Sequence, residues 1–168
     1  NWIVILVEQN LSTTSVNRKI SALKSYYKFL LKVKQIAVNP LLKHKSLKTA
    51  KKVQIPFSEK ELQDVFSDND YSNDFEGIRN RLVIELFYTT GIRRAELINL
   101  KLNSVNKIQK TIRVVGKRNK ERIIPMLDCT LNLLKRYKEQ RNHLEVIKDK
   151  EMLILSKTGN KVSESFVY

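Results

Sequence analysis

Between Thr14 and Lys34 the apolar positions Val16, Ile20, Leu23, Tyr27 and Leu30 recur at i, i+4, i+7, i+11 and i+14, one face of an α-helix. Leu11-Ser12-Thr13-Thr14 supplies N-cap candidates before it, and residues 2–10 form a shorter helix upstream. A second series begins at Ser58, where Glu61 three residues on completes a capping box and predicts a helix from about Glu59 to Phe66. Ser67 to Asp74 is polar loop. Ile78, Leu82, Glu85 and Leu86, thickened by Val83, Ile84 and Phe87, mark a longer helix over about Phe75–Thr89 that Gly91 terminates. Arg93 to Asn99 is a further short helix. The period then changes from helical to alternating. Thr111–Val115 and Arg122–Pro125 are two strands close enough to form an antiparallel hairpin, with Val105 on a third. Leu127, Leu131, Leu134 and Tyr137 carry an amphipathic helix to about Leu144. Met152–Leu155 reads as a short apolar strand, Lys157-Thr158-Gly159-Asn160 as a turn, and Ser163 as the cap of another helix. The pattern is mainly α with a small antiparallel β-sheet.

Three stretches follow. Residues 1–42 are a helical unit closed by Asn39-Pro40. Residues 43–56 are dense in lysine, poor in periodicity and end on Pro56, which predicts a basic, mobile linker. Residues 57–168 are an α+β unit. A hydrophobic content of 42% is sufficient for a packed core. The opening Trp2–Val7 run is too short to span a bilayer and lacks a cationic leader, so it reads as the remnant of a buried helix. A single cysteine, Cys129, excludes an intrachain disulfide, and His44 and His143 are too far apart in sequence to suggest a metal cluster. A reduced cytoplasmic setting, associated with the nucleoid, fits.

Charge changes the picture most. Thirty-two Lys and Arg stand against seventeen Asp and Glu, a net +15 at pH 7 with a pI near 9.9. Such an excess, spread along the chain, implies a polyanionic partner, and duplex DNA is the expected one. On the first long helix Thr14, Arg18, Ser21 and Ser25 lie opposite the apolar stripe, with Lys24 and Lys28 on one flank. Small hydroxyls beside cations allow close approach to a phosphate backbone. A plain solvated face is the competing reading. The linker lysines could follow a phosphate backbone or simply maintain solubility.

Two cationic motifs stand out. In Thr90-Gly91-Ile92-Arg93-Arg94-Ala95-Glu96-Leu97, Arg93 opens a helix and Glu96 lies one turn on, where it could orient the guanidinium. About twenty residues later, Gly116-Lys117-Arg118-Asn119-Lys120-Glu121-Arg122 joins the two strands. Arginine can hold two non-bridging phosphate oxygens, and lysine can donate a proton to a leaving oxygen. Arg93 and Lys117 are the candidates for those roles, and Arg118, Lys120 and Arg122 for further DNA contact. A helix-capping arginine and an ordinary loop lysine remain the alternatives. No P-loop, Rossmann fingerprint or metal-ligand spacing is present.

Together these motifs resemble the tyrosine recombinase (phage integrase) family, with the Xer-type enzymes the nearest match. Ser21–Tyr27 with Asn39-Pro40 resembles the last helices of the family's SAM-like core-binding domain, and Leu155–Gly159 with Ser163 resembles the segment before its final helices. The resemblance implies a partial core-binding domain followed by a partial α+β catalytic domain. It implies cleavage of one DNA strand by a tyrosine through a 3′-phosphotyrosyl link, with no metal or nucleotide cofactor, in a tetramer on paired DNA sites. It places Arg93 on the scissile phosphate and Lys117, less readily Lys120, on the leaving 5′-oxygen.

The chain departs from the family pattern in places. Arg118 stands where a turn glycine is common, so Asn119 is expected to take the positive-φ position. Arg94 stands where a small or apolar residue is usual. The family's His-x-x-Arg motif and tyrosine nucleophile have no counterpart here, and Tyr168 matches an earlier position. The expectation is therefore a fragment truncated on both sides, monomeric without DNA, that binds DNA but does not cut it. A non-catalytic DNA-binding regulator is the alternative. An RNA-binding protein fits less well, since no RNP-type aromatic strand or KH-type glycine loop is visible.

Overall fold

The structure, a computed structural model, describes residues 2–50, 53, 55–67 and 71–167. Tyr168 lies outside them, as do residues 51, 52 and 54 of the expected linker and 68–70 of the expected loop. The chain divides into two compact units, Asn1–Pro56 and Phe57–Tyr168. The stretch expected as a linker falls within the first.

In the first unit, helix α1 (Trp2–Glu8) turns through Asn10 into helix α2 (Thr13–Lys32), whose N-cap Ser12 accepts from the Ser15 amide. Leu6, Val16 and Ile20 are buried together, with Ile3, Leu11 and Leu47 packed against them. Leu47 comes from the segment after the Asn39-Pro40 turn. Residues 44–50 have no regular secondary structure, yet two side chains of α2 hold them. Asn17 Nδ2 donates to the Leu47 carbonyl at 2.9 Å, and the Leu47 amide donates to Asn17 Oδ1 at 2.8 Å. Lys24 Nζ donates to the His44 carbonyl at 2.7 Å.

The second unit opens with helix α3 (Glu59–Val65), where the expected Ser58–Glu61 capping box is present. Helix α4 (Phe75–Thr90) begins on Asp74, which accepts from the Gly77 amide, and ends at Gly91 with φ 58° in the left-handed region. Helix α5 (Arg94–Ile98) follows at once. The sheet, order β1-β2-β3, is antiparallel throughout and comprises β1 (Val105–Asn106), β2 (Thr111–Val115) and β3 (Glu121–Pro125). Helix α6 (Asp128–Asn142) packs on α4, and a 3-10 turn covers Glu164–Val167. The core gathers Leu82 and Leu86 of α4, Leu97 of α5, Ile112 and Val114 of β2, Leu134 and Tyr137 of α6, and Leu153.

The expected strand over Met152–Leu155 is absent. Only single bridges, Lys101 with Met152 and Leu155 with Lys161, mark this stretch. Leu153, Ile154 and Leu155 are all buried, so the run does not alternate between two faces. Side chains of α6 satisfy much of its backbone in place of a ladder. The Tyr137 hydroxyl donates to the Leu153 carbonyl and accepts from the Leu155 amide, both at 3.0 Å. Arg141 Nη2 donates to the Lys150 and Met152 carbonyls. Burial pushes the Tyr137 phenol up to about 12, so it remains a donor across the working pH range.

Tyr137→Phe keeps the ring and its packing but leaves a buried carbonyl and a buried amide without their partner. Each unsatisfied group costs about 1–3 kcal/mol, so the second unit is expected to lose about 3 kcal/mol in urea unfolding. A loss under about 0.5 kcal/mol, the range of an inconsequential surface change, would show that the hydroxyl does not hold residues 153–155.

Candidate active site

The site is built where α4 ends. Gly91 supplies the left-handed residue that stops the helix, and Thr90 closes the freed backbone on both sides. Its Oγ1 donates to the Leu86 carbonyl at 2.5 Å and accepts from the Ile92 amide at 3.3 Å. Ile92 enters the core, and Arg93 becomes the N-cap of α5 with extended backbone. Glu96, at the third position of α5, reaches back to the N-cap: the Arg93 amide donates to Glu96 Oε2 at 2.8 Å. Leu97 and Ile98 then bury the rest of this short helix.

The Glu96 carboxylate is the hub. Arg93 Nη1 donates to Oε1 at 3.0 Å. Arg122 of β3 donates in a bidentate fork, Nη1 to Oε1 at 2.6 Å and Nη2 to Oε2 at 2.8 Å. The exposures decide the roles. The Glu96 side chain is 3% exposed, Arg122 37% and Arg93 72%. A buried carboxylate therefore anchors one half-covered arginine and one arginine that is open to solvent beyond its anchor.

Electrostatics agree with the geometry. The hydrogen bonds from Arg122, acting against the desolvation of a buried group, hold the Glu96 carboxyl down at about 2, with the Arg93 amide and guanidinium adding to the effect. The same hydrogen bonds raise Arg122 above its ordinary value.

Sheet register explains why Arg122 points inward. Val114 pairs with Arg122 and Ile112 with Ile124, so these four share the core-facing side. Arg122, expected among the DNA-contacting cations, is thus engaged with Glu96. The available signal was the register itself: once 114 faces the core, 122 must share its face.

The hairpin root also touches the hub. A Cβ on Gly116 would lie 2.9 Å from Glu96 Oε1. That oxygen is fixed by two guanidinium groups and cannot easily move, so glycine is needed here for close approach. The next residue is Lys117. It stands with Arg118, Asn119 and Lys120 at an exposed tip closed by the Gly116 amide donating to the Lys120 carbonyl at 2.8 Å. Asn119 has positive φ as expected, at 57°, but Arg118 does too, at 62°. A left-handed conformation costs a non-glycine residue about 1–2 kcal/mol, and Arg118 has no short polar side chain to ease it.

In the first unit Thr14, Arg18, Ser21, Ser25 and Lys28 are all exposed. Their spacing of i, i+4, i+7, i+11 and i+14 forms one continuous stripe. Lys24 is half-buried and holds the His44 carbonyl, a partner its position on the helix did not reveal.

The low Glu96 value has a thermodynamic consequence. A carboxyl depressed from its ordinary 4.5 to about 2 contributes stability that is present above about pH 4.5 and lost as pH falls toward 2. With Arg122 partly open to water, that contribution is on the order of 2–3 kcal/mol. Glu96→Gln should be less stable than the parent at pH 7 and should lose less stability than the parent between pH 5 and pH 2, as followed by urea titrations. Parallel pH profiles for parent and variant would contradict the hub.

Residues 57–168 match the phage integrase family, and residues 1–34 match the phage integrase N-terminal SAM-like domain. The chain is 33% identical over 164 residues to tyrosine recombinase XerC of Staphylococcus epidermidis, an alignment covering 98% of this chain and 55% of that protein. It is 34% identical over 171 residues to tyrosine recombinase XerD of Rickettsia bellii, covering 92% and 53%. The chain thus spans about half the length of the curated relatives it matches. Its fold is similar to that of XerH site-specific recombinase bound to a palindromic difH substrate, with TM-score 0.76 and 20% identity over 99% of this chain and 52% of that one. It is also similar to a lambda integrase dimer bound to a COC′ core site, with TM-score 0.69 and 16% identity over 98% and 58%. A Thr-Gly-x-Arg turn hydrogen-bonded to a buried glutamate, a lysine-bearing hairpin beside it and a match spanning both units place this chain in the phage integrase family of tyrosine recombinases, among its Xer-like members.

Proposed function

We propose that the full-length protein is a site-specific DNA recombinase that cuts and rejoins strands through a phosphotyrosine intermediate, working as a tetramer on paired sites. The observation that carries this reading is the asymmetry of Arg93. One end is fixed to a buried carboxylate while the side chain remains 72% exposed. Such a guanidinium is preorganised to meet a phosphodiester, and its position costs nothing further when charge builds in the transition state.

In this reading a tyrosine hydroxyl attacks phosphorus, a new phosphorus–oxygen bond forms, and the bond to the 5′-oxygen breaks. Arg93 holds the non-bridging oxygens. Lys117 gives a proton to the leaving 5′-oxygen, and Gly116 keeps the base of that lysine against the Arg93 anchor. The nucleophile is a residue outside this 168-residue sequence. In support, Tyr137 is fully buried, with its hydroxyl engaged by the Leu153 carbonyl and the Leu155 amide. The chain by itself binds duplex DNA without cutting it.

Two measurements test this. Incubating the 168-residue chain with a nicked suicide substrate should give no covalent adduct on a denaturing gel; an adduct mapped to any tyrosine within it would overturn the assignment. In the full-length protein, Arg93→Ala and Lys117→Ala should each slow cleavage strongly, Arg93→Ala by about 10²–10³-fold, with little loss of DNA affinity. A 5′-phosphorothiolate substrate has a leaving sulfur that needs little protonation. It should rescue Lys117→Ala and leave Arg93→Ala slow. Equal rescue of both, or of neither, would show that the two roles are wrongly divided.

A further inference from the structure

The first unit holds eleven Lys and Arg against a single acid, Glu8, and no Asp or Glu occurs from residue 9 to residue 58. Ten of the chain's fifteen net positive charges thus lie in its first third. No carboxylate within that stretch can neutralise these cations. Where they are placed is therefore informative.

Residues 44–48 form a strap without regular secondary structure, running antiparallel to α2 between its contacts at His44 and Leu47. Lys24 holds the His44 carbonyl and Asn17 holds Leu47, so seven helical residues are matched by three strap residues. Seven residues of helix rise about 10.5 Å, and three extended residues span about 10 Å, so both clasps close without strain. Leu41, His44 and Leu47 turn inward at intervals of three, whereas Lys43, Lys45 and Lys48 are exposed. Asn17 presents its carbonyl and amide to one residue's backbone as a neighbouring strand would, and Leu47 packs against the small core of Leu6, Val16 and Ile20. A segment with the composition of a flexible linker is thereby held beside the exposed stripe of Thr14, Arg18, Ser21, Ser25 and Lys28.

We propose that this strap, clasped by Asn17, is a second nucleic-acid contact surface of the first unit, on which Lys43, Lys45 and Lys48 neutralise phosphates of a DNA duplex. The proposal rests on the DNA-binding reading above and adds to it a named surface and a positioning residue. Asn17 touches no phosphate in this scheme. It fixes the strap so that the lysines are ordered before DNA arrives, which lowers the entropic cost of binding.

The test uses the 168-residue chain and a fluorescein-labelled duplex, with anisotropy titrations across a range of salt. The Lys43→Gln, Lys45→Gln and Lys48→Gln triple variant removes exposed charges and leaves every core contact in place. Its log–log salt slope should fall below the parent's by about 0.9 for each phosphate lost, up to about 2.7. Asn17→Ala keeps every charge. It should keep the parent's slope, bind several-fold more weakly at a fixed salt concentration, and be cut faster by trypsin after Lys45 and Lys48, while far-UV circular dichroism shows α2 intact. A triple variant with the parent's slope would overturn the phosphate contact. An Asn17→Ala variant with unchanged affinity and unchanged cleavage, or one whose α2 signal is lost, would overturn the clasp as a positioning device. Both outcomes leave the DNA reading standing if the parent's slope is steep. Salt-independent binding by the parent would instead remove the DNA reading itself.

Discussion

The arrangement depends on one buried carboxylate. Glu96 accepts from a backbone amide and two guanidinium groups, and its two oxygens are the point where the α4–α5 turn and the β2–β3 hairpin meet. A carboxylate 3% exposed would be costly to bury alone. It is tolerated because four donors satisfy it. The converse also holds: Arg93 would be a mobile surface side chain without Glu96, and Arg122 would be a cation stranded on the apolar face of a strand. Gly116 completes the constraint, since only a residue without a Cβ lets the hairpin root approach so closely. Local structure, packing and site geometry therefore converge on the same few atoms.

The two units obtain order in different ways. The second has a substantial core, from Leu82 and Leu86 through Ile112 to Leu153, and uses buried side-chain hydrogen bonds to hold irregular chain in place. Among its described residues the first buries Leu6, Val16 and Ile20, and it relies on Asn17 and Lys24 to fix the segment beside α2. In both, a helix side chain satisfies backbone groups that no ladder pairs: Tyr137 the Leu153 carbonyl and the Leu155 amide, Asn17 the amide and carbonyl of Leu47. This device helps hold irregular chain at a fixed position outside a sheet.

What could be read from sequence follows from how far apart the interacting residues lie. Helices α2, α3, α4 and α6 were legible because their apolar spacing and caps are local: Ser58 with Glu61, and Gly91 after Thr90. The hairpin and the small third strand at Val105 were legible from alternation. The Met152–Leu155 run does not form the expected strand because its backbone is shared between one bond to the Leu100 carbonyl and side chains of α6, Tyr137 and Arg141, which no local pattern reports. The inward direction of Arg122 required the register of a strand pair, and Lys24's engagement required knowing that His44 returns to α2. Arg118 illustrates a further limit: glycine was the expected residue for the turn, and the structure gives both Arg118 and Asn119 positive φ. The Arg93–Glu96 pair itself was anticipated from the three-residue spacing, but not the second arginine on the same carboxylate.

The central claim is that Glu96 is an ionised, doubly clamped anchor. Its most direct test is side-chain carboxyl 13C NMR of the 168-residue chain at pH 3, where an ordinary exposed glutamate with a pKa of about 4.3 is largely protonated. The account predicts that the Glu96 resonance still reports a carboxylate at that pH, in keeping with a pKa of about 2. A Glu96 resonance that titrates together with the exposed glutamates would contradict it.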